Sequence, residues 1–372
     1  MIDLHLDDVT LSRHVMQHYD HLSPPMNPGM RQRMQWTAED AAPRDGASAD
    51  ATQAWLDTPS YALPVPAALD RARGAMLGLA IGDAIGTTLE FTQRDAACVR
   101  DMVGGGPFSL QPGEWTDDTS MALCLADALI AEGAWVPAVF ADLLRRWYRF
   151  GHNSMNGRCF DIGHTTRSAI EGWAAMGAAW QGNTDPGTAG NGSLVRLAPM
   201  AIACRGSLRT IWRWSRSQSA VTHAAMEAIH GCQVLGMILC HALQGADREH
   251  ALAPKIAPLP VRLQIINAGE YKSKLRTQIR SSGYVVDTLE AALWAVWHSR
   301  SFEDAVLQAA NLGDDADSVA AVAGQIAGAI YGLSGIPPDW VQRLAWSEDI
   351  MRRADALFAM NLDSDRAPSR SG

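Results

Sequence analysis

The sequence is poor in positive charge. Its 372 residues carry 31 Lys and Arg against 40 Asp and Glu, a net charge of -9. No run of like charge forms a basic stripe or a membrane-facing patch, which argues against a nucleic-acid or anionic-lipid surface. The opening residues, Met1-Ile2-Asp3-Leu4-His5-Leu6-Asp7-Asp8, lack the basic segment and apolar core of a secretory signal. No apolar stretch reads as long enough and free enough of charge to cross a bilayer. The cysteines, Cys98, Cys124, Cys159, Cys204, Cys232 and Cys240, show no Cys-x-x-Cys spacing. Several sit in apolar helical context, as in Met121-Ala122-Leu123-Cys124-Leu125, and read as buried free thiols in a reducing cytoplasm. Runs of alternating β-branched residues are scarce and no internal repeat stands out, which leaves little material for a sheet.

What is present is helical. Hydrophobic residues make up 47% of the chain and charged residues 19%, enough to bury a large core in one domain or two. Arg71–Asp83 reads as a small-residue helix whose glycines permit close packing at some cost in propensity. Helices follow over 120–132, 137–150, 165–181, 194–204, 208–219, 224–243, 286–298 and 302–311. The 246–282 stretch, with Pro254, Pro258 and Pro260, reads as a connector with room for one helix. After residue 317, Val319, Val322, Ile326 and Ile330 recur at three- and four-residue steps with Ala and Gly between them, so this helix is expected to be buried nearly all round. Pro337-Pro338-Asp339 starts a last one. The expectation is an all-α domain over residues 67–360. An extension (1–66) precedes it, with a short helix over Val9–Tyr19 and a linker over 38–60, and a tail (361–372) follows.

Two acidic stretches carry the chemistry. One is Gly113-Glu114-Trp115-Thr116-Asp117-Asp118-Thr119; the other is Asn311-Leu312-Gly313-Asp314-Asp315-Ala316-Asp317-Ser318. Each runs into an apolar helix. At the first, Thr116 and Asp117 also fit as helix caps and dipole partners. At the second, Asp315 and Asp317 would diverge on a regular helix but can converge in a loop entering one. Three aspartates within four residues repel too strongly to be caps alone. Oxygen-only ligands without His or Cys suit Mg²⁺, Mn²⁺ or Ca²⁺, and the spacing is not that of an EF-hand.

At this point the residues resemble a known family. Gly78-Leu79-Ala80-Ile81-Gly82-Asp83-Ala84-Ile85-Gly86 with Glu90, then Thr116-Asp117-Asp118-Thr119, Gly190-Asn191-Gly192-Ser193-Leu194-Val195-Arg196, Thr222-His223, and Gly313-Asp314-Asp315-Ala316-Asp317-Ser318 resemble, in order, the ADP-ribosylglycohydrolases. These include the enzyme that reactivates dinitrogenase reductase and the ADP-ribosylarginine hydrolases. The resemblance covers about residues 68–350. It implies an all-α fold around two Mg²⁺ or Mn²⁺ ions, with Thr116, Asp117, Asp118, Asp315, Asp317 and Ser318 as ligands. It places Glu90 near the metals and Asp161, in Asp161-Ile162-Gly163, near the scissile ribose. Gly190, Asn191, Gly192 and Ser193 fall on the loop that contacts ADP-ribose, Tyr284 lines the adenosine side, and His223 matches a family Thr-His, although a structural histidine fits equally well. Two departures stand out: Asp314 replaces a glycine, and Ser318 replaces a threonine while keeping the ligand oxygen.

The chemistry implied is coherent. Cleavage at the anomeric carbon of ribose passes through an oxocarbenium-like state, which two metals and a carboxylate, Glu90 or Asp161, can support. The resemblance therefore implies a metal-dependent hydrolase that removes ADP-ribose from modified protein side chains, arginine first, in the cytoplasm. The extension suggests a second role, an immunity protein whose arm binds and occludes an ADP-ribosyltransferase toxin. A non-catalytic, crystallin-like relative is the third reading.

Overall fold

A computed structural model describes residues 63–176 and 181–362, with the side chains of 174–176 left aside. The expected Val9–Tyr19 helix, the 38–60 linker and the tail from 363 lie outside the described residues. Among the described residues there is no sheet, only isolated bridges such as Gly190 to Tyr284. The all-α expectation holds.

The frame is a helix pair. α1 (Val65–Gly86) and α12 (Ala316–Tyr331) run antiparallel with their backbones in contact. Gly74, Gly78, Gly82 and Gly86 recur every four residues along one face of α1, and face Gly328, Gly324, Ala320 and Asp317 on α12. A Cβ on Gly78 would lie 2.2 Å from the Gly324 carbonyl oxygen, and one on Gly324 would lie 1.9 Å from that of Gly78. Only hydrogen fits there. Every residue of α12 from Ala316 to Ile330 is buried, as its all-round apolar pattern predicts.

The other helices wrap this pair. α2 (Asp117–Glu132) stops at Gly133 and α3 (Pro137–Phe150) at Gly151, both left-handed, and α3 opens on a proline whose missing N–H costs nothing there. α4 (His164–Met176), α5 (Ala198–Ala203), α6 (Leu208–Ala220) and α7 (Met226–Gln244) follow. By length and composition α7 could cross a bilayer, which corrects the sequence reading, yet nearly all of it is buried inside the protein. It is a core helix. Next come α8 (Arg248–Ala251), α9 (Val261–Asn267), α10 (Val285–His298) and α11 (Phe302–Ala310). The 246–282 connector thus holds more helix than expected.

Two further expectations change. Helix was expected from Leu194, but only Ala198–Ala203 is α-helical. Residues 191–197 turn instead, with Leu194 and Val195 N–H donating to the Asn191 carbonyl and Gln325 Nε2 holding the Val195 carbonyl at 2.6 Å. The final helix is split into α13 (Pro338–Arg343) and α14 (Ser347–Met360). Trp346 between them is left-handed, because tertiary contacts claim this turn: Ala345 N–H donates to Gly113 O, Trp115 Nε1 donates to Ala345 O, and the Trp115 and Trp346 rings meet edge to face at 5.2 Å. All six cysteines are free, four of them buried.

The helix contact yields a test. Gly324→Ala should lower unfolding stability by about 3 kcal/mol or prevent folding, because two backbones rather than a flexible side chain must move. Gly163→Ala, where an added Cβ meets nothing within 4 Å, should stay near neutral. Denaturant unfolding of both variants checks the difference.

Candidate active site

The α1–α12 contact brings the C-terminal end of α1 beside the start of α12. Just past α1, a single 3-10 turn (Thr87–Leu89) ends on Glu90, which is almost fully buried. At the head of α12 stand Asp315, Asp317 and Ser318. The loop before it is pinned from three sides. Phe91 N–H donates to Asp314 O at 2.7 Å, Asp314 N–H to Thr92 O at 2.8 Å, and Asp315 N–H to Ser281 O at 2.9 Å. Arg94 adds bonds to Leu312 O and Arg276 O. Asp314 takes a left-handed backbone with φ 60 and an exposed side chain. Aspartate tolerates that conformation better than most residues, so the departure from glycine leaves the turn intact and sends the extra charge to solvent.

Asp83 organises the first acidic stretch, a role that the sequence reading did not assign. It is fully buried in α1 and accepts four hydrogen bonds from the head of α2: Thr116 N–H at 2.9 Å, Thr116 Oγ1 at 2.8 Å, Thr119 N–H at 3.0 Å and Thr119 Oγ1 at 2.6 Å. A carboxylate from another helix therefore caps α2, while Thr116 makes no side-chain cap of its own. The sequence signal was one acid inside a glycine- and alanine-rich helix. Because the Thr116 hydroxyl gives its proton to Asp83, its lone pairs are left facing Asp317 Oδ2, 3.4 Å away. Two acceptors facing each other across that gap call for a cation or a proton between them.

The remaining acids converge on the same place. Asp161, between α3 and α4, is held left-handed at φ 61, a conformation that costs a non-glycine residue of order 1 kcal/mol. One carboxylate oxygen each of Glu90, Asp161 and Asp317 lies within 4.8 Å of the others. Burial first, then the charges of its acidic neighbours, pushes Asp118 well above the ordinary carboxylate range, and the same order of causes holds for Asp117 and Asp317. Burial and the neighbouring Asp161 and Asp315 raise Glu90 to about 9; burial and Asp83 raise Asp161 to about 7. Glu90 Oε2, Asp118 Oδ2, Asp161 Oδ2 and Asp317 Oδ1 are buried without a hydrogen-bond partner. Oxygen atoms left bare in this way fit a hard divalent cation as donor set. Asp315 is better satisfied, with Asn191 Nδ2 donating to its Oδ2 at 2.7 Å.

The glycine loop lies alongside. Gly190 bridges to Tyr284, Asn191 N–H donates to Gly283 O and Val285 N–H to Ala189 O. Of the four loop residues, Gly190 and Asn191 have their N–H groups occupied, by Thr188 O and Gly283 O. Those of Gly192 and Ser193 make no hydrogen bond among the described residues; Gly192 is part-exposed, while Ser193 is fully buried. The Asn191 side chain is committed to Asp315 and Thr288, and the Ser193 hydroxyl is turned into the core against Ser219 at 2.8 Å. Tyr284 OH donates to Glu227 and accepts from Arg262 at 3.0 Å. His223 is buried with its ring against Gly190 and Gly192.

Carboxylates from four separate segments, gathered beside a loop with unpaired N–H groups, define an all-helical protein with a candidate cation-binding acidic centre. Known proteins make the class specific. The chain belongs to the ADP-ribosylglycohydrolase family, whose sequence profile matches residues 64–366. It is 58% identical over 368 residues to a Pseudomonas putida (strain GB-1) protein named ADP-ribosylarginine hydrolase Tri1, covering 99% of this chain and 96% of that protein. It is 54% identical over 366 residues to a protein of the same name from Serratia proteamaculans (strain 568), covering 98% and 100%. A solved structure described as an ADP-ribosylglycohydrolase-related protein complex superposes with a TM-score of 0.70 at 40% identity, over 79% of this chain and 99% of that chain.

The buried acids set a pH dependence with a defined sign. A carboxyl raised in the folded state keeps its proton where the unfolded chain releases it, so stability falls as pH rises between the ordinary carboxylate value near 4 and the raised values, about 7 for Asp161 and about 9 for Glu90. The metal-free protein should therefore melt lower at pH 8 than at pH 6. Millimolar Mg²⁺ or Mn²⁺ should raise the melting temperature more at pH 8, because cation and protons compete for the same oxygens. Melts with chelator and with metal check this, and Asp317→Asn should flatten both trends.

Proposed function

We propose that this protein is a metal-dependent hydrolase that releases ADP-ribose from modified arginine side chains. The observation that carries the reading is the set of partnerless buried carboxylate oxygens on Glu90, Asp118, Asp161 and Asp317 beside the glycine loop. The 58% and 54% identities to proteins named ADP-ribosylarginine hydrolase support arginine as the linkage. Thr116, Asp117, Asp118, Asp315, Asp317 and Ser318 would hold two divalent cations, Mg²⁺ or Mn²⁺ by their all-oxygen donors. When bound, such ions supply Lewis acidity and fix the ribose hydroxyls.

The chain's own residues account for the rest. Asp83 fixes the head of α2, so Asp117 and Asp118 point inward before any ligand arrives. Glu90 and Asp161 each place a carboxylate oxygen within 4.8 Å of the other, and the charge of Asp161 adds to burial in raising Glu90. One of the pair can hold a proton while the other is ionised, the condition for a base that takes a proton from water as positive charge builds on the ribose ring. The unpaired, part-exposed Gly192 N–H would serve the diphosphate as a donor without bringing charge of its own. The free cysteines support a reducing, cytoplasmic setting for this work.

Incubation of the full chain with Mg²⁺ and an ADP-ribosylarginine protein should release ADP-ribose. Asp117→Ala and Asp317→Ala should each lower the rate by at least about a hundredfold, and so should Glu90→Gln if it is the base. Absence of release by the wild type across metals and linkages would sink the reading.

A second role rests on a separate observation. The family profile begins at residue 64, yet the two relatives named Tri1 align over 98–99% of this chain, so they share the extension. We assign the extension to an arm that binds and occludes an ADP-ribosyltransferase toxin. Deleting residues 1–60 should abolish capture of the transferase in a pull-down and leave hydrolysis intact. Capture that survives the deletion rules the arm out.

A further inference from the structure

Arg196 follows the glycine loop and is fully buried, yet no carboxylate pairs with it among the described residues. A buried guanidinium without a counter-charge is costly and calls for an anion or a function. Its donors are spent on neutral groups: Nε to Gln218 Oε1 at 3.1 Å, one terminal nitrogen to Gln218 O at 3.1 Å and to Thr222 Oγ1 at 2.8 Å, and the other to Met121 Sδ at 3.5 Å, with the Phe140 ring 4.9 Å away. Thr222 Oγ1 in turn lies 2.7 Å from His223 Nδ1.

The direction of that last bond follows from donor accounting. Arg196 can only donate, so the Thr222 oxygen accepts from it. The Thr222 hydroxyl proton then needs an acceptor, and His223 Nδ1 is the one at hand among the described residues. An accepting Nδ1 places the ring proton on Nε2. Burial, followed by the charge of Arg196, pushes the imidazole down to about 3, so the ring stays neutral at working pH. Nε2 makes no hydrogen bond among the described residues. It faces the loop: a Cβ on Gly190 would stand 3.4 Å from it and one on Gly192 3.3 Å.

We propose that Arg196, acting through Thr222, is a positioning residue that holds His223 as the tautomer with its proton on Nε2, ready to donate to an anionic oxygen of the ligand over the Gly190–Ser193 loop. This rests on the reading of that loop as the ADP-ribose site. It gives the ligand's diphosphate a fixed donor backed by a buried positive charge, independent of the metal ions. Chain order assists: Arg196 lies shortly after the loop on one side, and Thr222 and His223 are adjacent on the other, so one relay joins both walls of the site.

The test uses the full chain with Mg²⁺. Ring-nitrogen NMR, with the His223 signal assigned by its loss in His223→Gln, should show a protonated Nε2 and a bare Nδ1, unchanged between about pH 6 and pH 8. Thr222→Val should mix the tautomers and weaken ADP-ribose binding by calorimetry about tenfold or more, and Thr222→Ser should restore both. Arg196→Lys, which cannot reach Gln218 and Thr222 in the same fork geometry, should shift the same two readouts. A wild-type His223 protonated at Nδ1, or a folded Thr222→Val or Arg196→Lys protein with wild-type spectrum and affinity, overturns the proposal. If the wild type itself fails to bind ADP-ribose, the functional reading of the loop falls, while the tautomer spectra still decide whether Arg196 and Thr222 position the ring.

Discussion

The structure depends on two helices that touch without side chains between them. Glycines at every fourth position of α1 let the α12 backbone approach to a distance at which a single methyl group would collide with a carbonyl. That contact fixes the axial register of the two helices. Register decides which residues meet at the far end, and there Asp83 and Glu90 come beside Asp315 and Asp317. A slide of one turn would carry the acids about 5 Å apart and break up the cluster of oxygens that fits a cation. The small residues are thus the measuring rule of the site, although none of them carries chemistry.

The acids gathered at that end divide by how fully they are satisfied. Asp83 accepts four hydrogen bonds and is complete as it stands. Asp118, Asp161, Asp317 and Glu90 each keep a bare buried oxygen. Identical functional groups, drawn into one centre, therefore serve opposite purposes. The first is a structural cap whose energy is spent in folding; the others hold unspent affinity for a cation. The solvated side chain of Asp314 shows a third fate, charge that the fold simply discards.

Much of this was legible in the chain. Local pattern gave α3, α6, α10 and α11 to within a residue at each end, and the end of α2 at Gly133, while α2 starts three residues before the expected position, inside the acidic stretch. The acidic stretches announced themselves by repulsion within a few residues. Less legible was everything that depends on a distant partner. Asp83 stood in the Gly78–Gly86 motif without a role, since the threonines it binds lie more than thirty positions on. Arg196 looked like part of a motif, since its meaning comes from Thr222 and His223. The helix expected from Leu194 failed because Gln325, across the core, claims the Val195 carbonyl. The split at Trp346 was hidden for the same reason, as Gly113 and Trp115 draw that turn out of the helix. The extension before residue 63 remains the part that helix patterning explains least.

Asn191 has one more consequence. Its backbone N–H is tied to Gly283 and its side-chain amide to Asp315, so a single residue belongs both to the loop and to the acidic centre. Whatever displaces the loop must also act on the Asp315 carboxylate, and whatever draws that carboxylate inward must pull on the loop. Linkage makes such a joint symmetrical: the factor by which occupancy of one side changes affinity at the other is the same in both directions. In the proposed site, ligand over the loop and cation at the acids would be two ends of one lever, with a carboxamide as its pivot.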